Sequence, residues 1–338
     1  MSGDLHVFLA NIWFCLLGLM LVLYVIMDGF DLGVGILSLL ETDARRREQM
    51  ILSIHAIWDA NETWLVLFGG ALFGAFPVVY ALALQALYIP ISVMLFGLIL
   101  RGIAFELYRH ARHRLSWYLA FSFGSLLVAL SQGFALGGLI SGMPIVYNEF
   151  TGDIWFWLNP FAGIVALGVV AGYSVLGGTY LLIKTRGEVQ AINRRRSLYI
   201  AWIMLFAAAV VTMATPFIQD YILEYWLRDY HMFYLLPLPV LALFAFFKLQ
   251  QSLRSENEYA PFIWGLVIFV TSFAGLALSL YPYLIPGVVT IADAASSTAT
   301  QLFMLVGIGM FIPVILVYNT YQYLVFRGKT ISSVPTQH

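Results

Sequence analysis

The chain is predicted to be an all-α polytopic membrane protein with nine spanning helices, on three observations. Its 338 residues are 61% hydrophobic and 10% charged, whereas about a quarter of an ordinary soluble domain is charged. Apolar segments long enough to cross a bilayer recur from one end to the other. Arginine and lysine collect in alternate connections between those segments, which is the signature of chains held in one orientation by the positive-inside rule.

The segments run 7–40, 51–75, 78–100, 116–140, 161–183, 198–218, 231–247, 260–281 and 302–326. The first follows MSGDLH, which offers no positive n-region, so it is expected to remain as a spanning helix rather than act as a signal peptide. Its later part reads DGFDLGVG. Asp28 and Asp31, three residues apart, share a face, and so do Gly29 and Gly33, four apart. At about 1.5 Å per residue Asp28 lies roughly 32 Å below Val7, near the cytoplasmic end, where Arg45, Arg46 and Arg47 would offset its charge. The pair reads as a proton entrance or cation site, or as a structural pair with glycine-mediated packing.

The second segment, ILSIHAIWDANETWLVLFGGALFGA, carries His55, Asp59 and Glu62 at offsets of four and seven. On one continuous helix these fall within roughly 60° of each other. Glu62 is then about 16 Å deep, near the midplane of a core about 30 Å thick, with Asp59 and His55 stepping back toward the cytoplasm. Ionisable groups at that depth are costly and by default functional. Two carboxylates and an imidazole in a row can pass protons through intervening water; the alternative is hydrogen-bonded glue between helices. Trp58, Asn61 and Trp64 hold this ladder, pack, or face a partner. Arg101 and Glu106 open the next basic loop, where Arg101 either anchors the interface or pairs with an acid of the first two helices.

Small residues mark close packing in the remaining segments, at Gly69, Gly70, Gly74, Gly137, Gly138, Gly172, Gly177 and Gly178. The loops 141–160, 219–230 and 282–301, rich in Trp, Tyr, Pro, Asp and Gly, read as ordered outer caps. Sixteen of the seventeen cationic residues fall on the other side and only Arg228 among the caps. The N-terminus is therefore expected outside and the C-terminus in the cytoplasm. The simplest partition is a four-helix bundle with the acids over 1–145, a second over 146–285, and a peripheral helix with a tail over 286–338.

Several function classes drop out. A net charge of -1 with the cations in short separate clusters gives no nucleic-acid footprint. Cys15, the one cysteine, has no intrachain disulfide partner and no thiolate neighbour for an iron–sulfur cluster, so it is assigned to packing. His6, His110, His113 and His338 lie outside the spans and His231 at a boundary, leaving His55 alone in the core, too few ligands for a multi-haem chain. With no Walker, Rossmann, zinc or nucleophile motif, no catalytic, cofactor-binding or metal residue is expected here. A stand-alone proton- or cation-coupled transporter is the alternative, although the Gly/Pro-broken segments of inverted repeats are absent from the sequence.

DGFDLGVG followed by WDANETWLVLFGGALFGAFPVVYA strongly resembles subunit II of cytochrome bd-type quinol oxidases. LNPFAG at 158–163, GGTYLLIKTRGE at 177–188, TIADAASS at 290–297 and YQYLVFRGK at 321–329 continue the resemblance in register across essentially the whole chain. It implies two four-helix bundles and a peripheral helix, in the bacterial plasma (inner) membrane. It also implies pseudo-symmetric pairing with a subunit I that holds two b-type haems and one d-type haem, or a b-type haem in place of haem d, and oxidises quinol at its outer face. Small accessory membrane subunits and membrane lipid complete the implied partners. The family likewise implies that Asp59 lines a route for cytoplasmic protons toward oxygen reduction, with Asp28 and Asp31 adjoining. Two positions depart from many relatives: Glu62 stands where an amide or imidazole is common, as in the cyanide-insensitive branch, and Tyr283 to Thr290 is shorter. Quinol type and the haem at the oxygen site are decided mainly in the partner.

Overall fold

The computed structural model describes residues 2–108, 114–218, 220–227 and 231–330. His110, His113, Arg228 and His338, named above, lie outside them, as do Arg109 and Arg112 of the basic loop after the third segment. The elements are α1 (Ser2–Leu39), α2 (Ala44–Leu52), α3 (Trp58–Ala75), α4 (Pro77–Ala86), α5 (Tyr88–Leu107), α6 (Arg114–Ile140), β1 (Ile145–Val146), β2 (Glu149–Phe150), α7 (Pro160–Lys184), α8 (Gly187–Ile218), α9 (Asp220–Leu227), α10 (His231–Leu235), α11 (Pro237–Leu253), α12 (Ala260–Leu280), β3 (Tyr283–Ile285), β4 (Val289–Thr290), α13 (Ile291–Ala294) and α14 (Thr298–Val325). Among the described residues eight helices are long and apolar enough to cross a membrane, and α3 with α4 gives a ninth candidate bent by 119°.

Three expectations are corrected here. The second segment is not one helix over 51–75: residues 53–57 form turns and α3 starts at Trp58. The chain breaks at Phe76, where α3 ends, and again at Leu87, so the third segment is not one helix over 78–100. Pro77 explains the first of those breaks, since it cannot donate to the preceding turn and pushes Phe76 out of the helical region. Cys15 lies on the exposed surface of α1 and not in the core.

α1 is the central strut, packed against α3, α6 and α7; α5 packs on α6, α8 on α7, α11 on α12, and α14 on α3 and α1. Lipid-soluble helices gain little from burying apolar surface against each other, so van der Waals fit between small residues carries much of the association. At the α1–α7 crossing a Cβ on Gly33 would meet the Tyr173 carbonyl, and one on Gly177 would meet the backbone of Val34. Gly137 abuts Ala162, Gly138 Trp157, Gly172 Phe269, Gly178 Ser197 and Gly74 Met304. Gly69 and Gly70 meet nothing within 4 Å, so they do not mark a contact inside this chain.

Two apolar cores stack along α1. One gathers Phe30, Leu37, Phe105, Phe121 and Tyr180, the other Trp13, Trp64, Phe76 and Trp157, and Val25 and Met27 border both. At the second core's end the TIADAASS segment ties α14 down. Ser296 donates its amide to Ala75 O (2.9 Å), Gln301 donates to Ser296 O (2.7 Å), and Trp13 Nε1 donates to Gln301 O (3.2 Å). At the opposite end basic side chains stitch the connections together. Arg46 bridges Glu41 and Glu188, both at 2.9 Å. Burial opposes ionisation of Glu41, but hydrogen bonds from Arg46 and the Asp43 amide, with the Arg196 charge, hold its pKa below the ordinary glutamate value.

Candidate functional site

Where the two cores meet, α1, α3 and α5 bring four ionisable side chains together. Asp28, Asp31 and Arg101 are wholly buried, and the Glu62 side chain is 22% exposed. Arg101 grips Asp28 with both arms, Nη2 to Oδ1 at 2.9 Å and Nη1 to Oδ2 at 3.2 Å, and reaches Glu62 at 3.2 Å. Such a fork matches a carboxylate in a way a lysine ammonium cannot. Arg101 thus sits inside α5, not in a loop, and pairs with acids of both the first and second segments as one of its expected alternatives had it. Arg45, Arg46 and Arg47 do not serve Asp28: Arg46 is on Glu41, and Arg47 donates to the Ser38 and Glu41 carbonyls.

Asp31 is served separately. Asn61 Nδ2 donates to Asp31 Oδ2 at 2.7 Å and to Met27 O at 3.2 Å, and Asn61 Oδ1 accepts from the Tyr323 hydroxyl at 2.9 Å. Three helices are therefore joined through one amide. The three acids share a single arginine, so the buried cluster holds two more carboxyl groups than cations.

The Gly29 and Gly33 spacing makes this geometry possible. A Cβ on Gly29 would stand 2.8 Å from the Tyr173 ring, so α7 lies against the very turn that carries the acids. Tyr173 in turn donates to Gln132 Oε1 (2.6 Å) and Gln132 Nε2 donates to the Tyr24 hydroxyl (2.6 Å), one turn above Asp28. Sequence reasoning missed Tyr24, Gln132 and Tyr323. Gln132 had a usable signal, an amide inside an apolar span, and Tyr24 lies four residues before Asp28 on the same face.

Of the predicted ladder, the structure keeps Asp59 and Glu62 on one helix and separates His55 from it. Because α3 begins at Trp58, His55 belongs to the preceding turns, its ring against Phe105 (5.3 Å) and Tyr108 (6.0 Å). Asp59 is exposed on the chain's surface one turn from Glu62. Trp58 stacks on Phe105 at 5.1 Å, locking α3 to α5. Trp64 is fully buried. Glu62 is therefore the point at which the buried cluster reaches the surface, beside Asp59. Among the described residues no group of three or more His, Cys, Asp or Glu is arranged to hold a metal ion.

Residues 9–326 match the family model described as cytochrome bd terminal oxidase subunit II. The chain is 28% identical over 363 aligned residues to the cytochrome bd-I ubiquinol oxidase subunit 2 of Escherichia coli (strain K12), covering 95% of each. It is 28% identical over 346 residues to the cytochrome bd ubiquinol oxidase subunit 2 of Bacillus subtilis (strain 168), covering 97% of this chain and 98% of the other. Its fold matches a chain of the bd oxidase from Geobacillus thermodenitrificans with a TM-score of 0.76 at 20% identity, over 95% and 99% of the two chains.

Proposed function

This chain belongs to the cytochrome bd terminal oxidase subunit II family, and we propose that within the oxidase it both braces the haem-bearing subunit and delivers protons to it. As a family member it is a non-catalytic subunit of a bd-type quinol oxidase, a multi-pass protein of the bacterial plasma membrane. The haems, of b and d type or b type alone, reside on subunit I, which pairs with this chain. The bundle over 1–145, the bundle over 146–285 and the peripheral helix over 286–338 are the units of that bracing; the packing of α14 on α3 and α1 alone supports the last of these.

The observation that carries the proton reading is a buried, acid-rich cluster that opens to the surface at one place. Asp28, Asp31, Glu62 and Arg101 together can hold mobile protons, and Glu62 with exposed Asp59 forms the spout. A carboxylate facing hydrocarbon is expensive, so the face carrying Asp59 is assigned to subunit I, with water between. Protons enter from the basic end of the molecule, which the positive-inside rule makes cytoplasmic. His55, near the start of α3, stands at the mouth.

Asp59→Asn and Glu62→Gln, each made in the whole two-subunit complex, test this. Both keep size and hydrogen bonding but remove the titrating proton. Full haem content with quinol-driven oxygen uptake slowed by about 10²-fold or more, the usual weight of a proton-transfer group, is the expected result. Wild-type uptake in both assembled variants would remove the relay from this chain.

A further inference from the structure

Beside the acid cluster, a groove of about 310 Å³ runs between α1, α7, α12 and α14, with walls that include Met27, Phe30, Tyr180, Phe262 and Tyr323. Phe30 stacks on Tyr180 at 4.3 Å and meets Phe262 edge-on at 5.9 Å. At its basic end the groove is closed by Lys184 and Arg327. Arg327 is exposed, and among the described residues neither it nor Lys184 has an acid within ion-pair distance. The Lys184 ammonium spends one hydrogen on the Phe326 carbonyl at 2.6 Å and stands 5.9 Å over the Tyr180 ring. An ammonium has three hydrogens, so two remain. The contrast with Lys329 is informative: one residue past Gly328, it is neutralised by Glu258 at 2.6 Å and turned onto Leu182 O.

We propose that this groove is a binding site for an anionic phospholipid, its headgroup phosphate on Arg327 and Lys184 and one acyl chain along the aromatic wall. Basic pockets between spanning helices at the cytoplasmic end take phosphate headgroups. The volume is at the low end for a small-molecule site, which runs from about 300 to 1,000 Å³, and so suits one chain. Unneutralised cations alone would take any anion, but the apolar slot beneath them selects one with a tail. The seated chain covers Tyr323, whose hydroxyl holds Asn61 against Asp31, so the lipid also shields that side of the cluster from the bilayer. The binding itself stands apart from the proton-path reading.

The test is native mass spectrometry of the detergent-purified two-subunit complex titrated with phosphatidylglycerol or phosphatidylcholine. The wild type should retain one tightly held phosphatidylglycerol in preference to phosphatidylcholine. At about 1 kcal/mol per basic residue near an anionic surface, Arg327→Gln should weaken that site about fivefold and Arg327→Gln with Lys184→Gln about 25-fold, whereas Arg327→Lys should keep it. Arg327 is exposed and makes no ion pair among the described residues, so the single variants decide the matter if the double variant fails to assemble. Equal phosphatidylglycerol affinity in wild type and Arg327→Gln, equal retention of the two lipids by the wild type, or a quinone as the species retained would overturn the proposal.

Discussion

Arg101→Gln should be among the most damaging single substitutions in this chain, and its size can be worked from the cluster. The guanidinium sits 2.9 and 3.2 Å from the Asp28 oxygens and 3.2 Å from Glu62. At an effective dielectric of about 20, a unit pair at about 3 Å attracts by roughly 5 kcal/mol, most of which offsets the cost of burying the charges. Removing one partner forfeits the attraction but leaves the burial cost, typically about 3–5 kcal/mol. Against a usual stability of about 5–15 kcal/mol, assembly should largely fail. The assay is fluorescence-detected size-exclusion of the tagged complex after heating. Adding Asp28→Asn to Arg101→Gln removes the orphaned charge and should recover part of the loss. Wild-type yield and melting temperature for Arg101→Gln would refute the account, because a buried fork between two carboxylates cannot be dispensable if it neutralises them.

Three further outcomes are expected. Gly33→Val should abolish complex formation, judged by co-purification of subunit I, because its side chain overlaps the Tyr173 carbonyl and overpacking of this kind costs about 1–3 kcal/mol or more; the same change at Gly69, which meets nothing within 4 Å, should spare the fold of this chain. The hydrogen bond from Lys329, then that from Gln190, holds the Glu258 pKa below its ordinary value, so docking of the segment after α14 is complete above the unfolded pKa of about 4.3 and is lost as pH falls below it; protease cleavage near residue 329 should accelerate only there, and Glu258→Gln should make it fast at neutral pH. Reporter fusions after residue 190 should be active in the cytoplasmic form and those after residue 150 in the periplasmic form, the reverse of both refuting the orientation.

Much of the architecture was legible in the chain because hydropathy is a property of a segment, readable without knowing its neighbours. Eight long apolar helices and the acids of α1 and α3 could be found that way, and the paired glycines of DGFDLGVG announced a close crossing. The break before α3 could not. Residues 53–57, Ser-Ile-His-Ala-Ile, contain neither glycine nor proline; the turn is held by the Ser53 hydroxyl on Met50 O at 2.6 Å and by burial of Ile54 and Ile57. A continuous helix would have placed His55 in line with Asp59, and that alignment was lost with the break.

What only the tertiary structure decided is who neutralises whom. From sequence, Asp28 had three nearby arginines and the distant Arg101 to choose from; its partner is Arg101, 73 residues away. Asn61, for which the sequence left holding the ladder, packing and facing a partner all open, joins Asp31 to Tyr323 across three helices. The sequence by itself determined which segments enter the membrane and which of them carry charge, because transfer into hydrocarbon depends on local composition. Pairing inside that hydrocarbon depends on distances of about 3 Å between different helices, where electrostatic energy changes steeply with separation, and those distances exist only once the glycines have let the helices close.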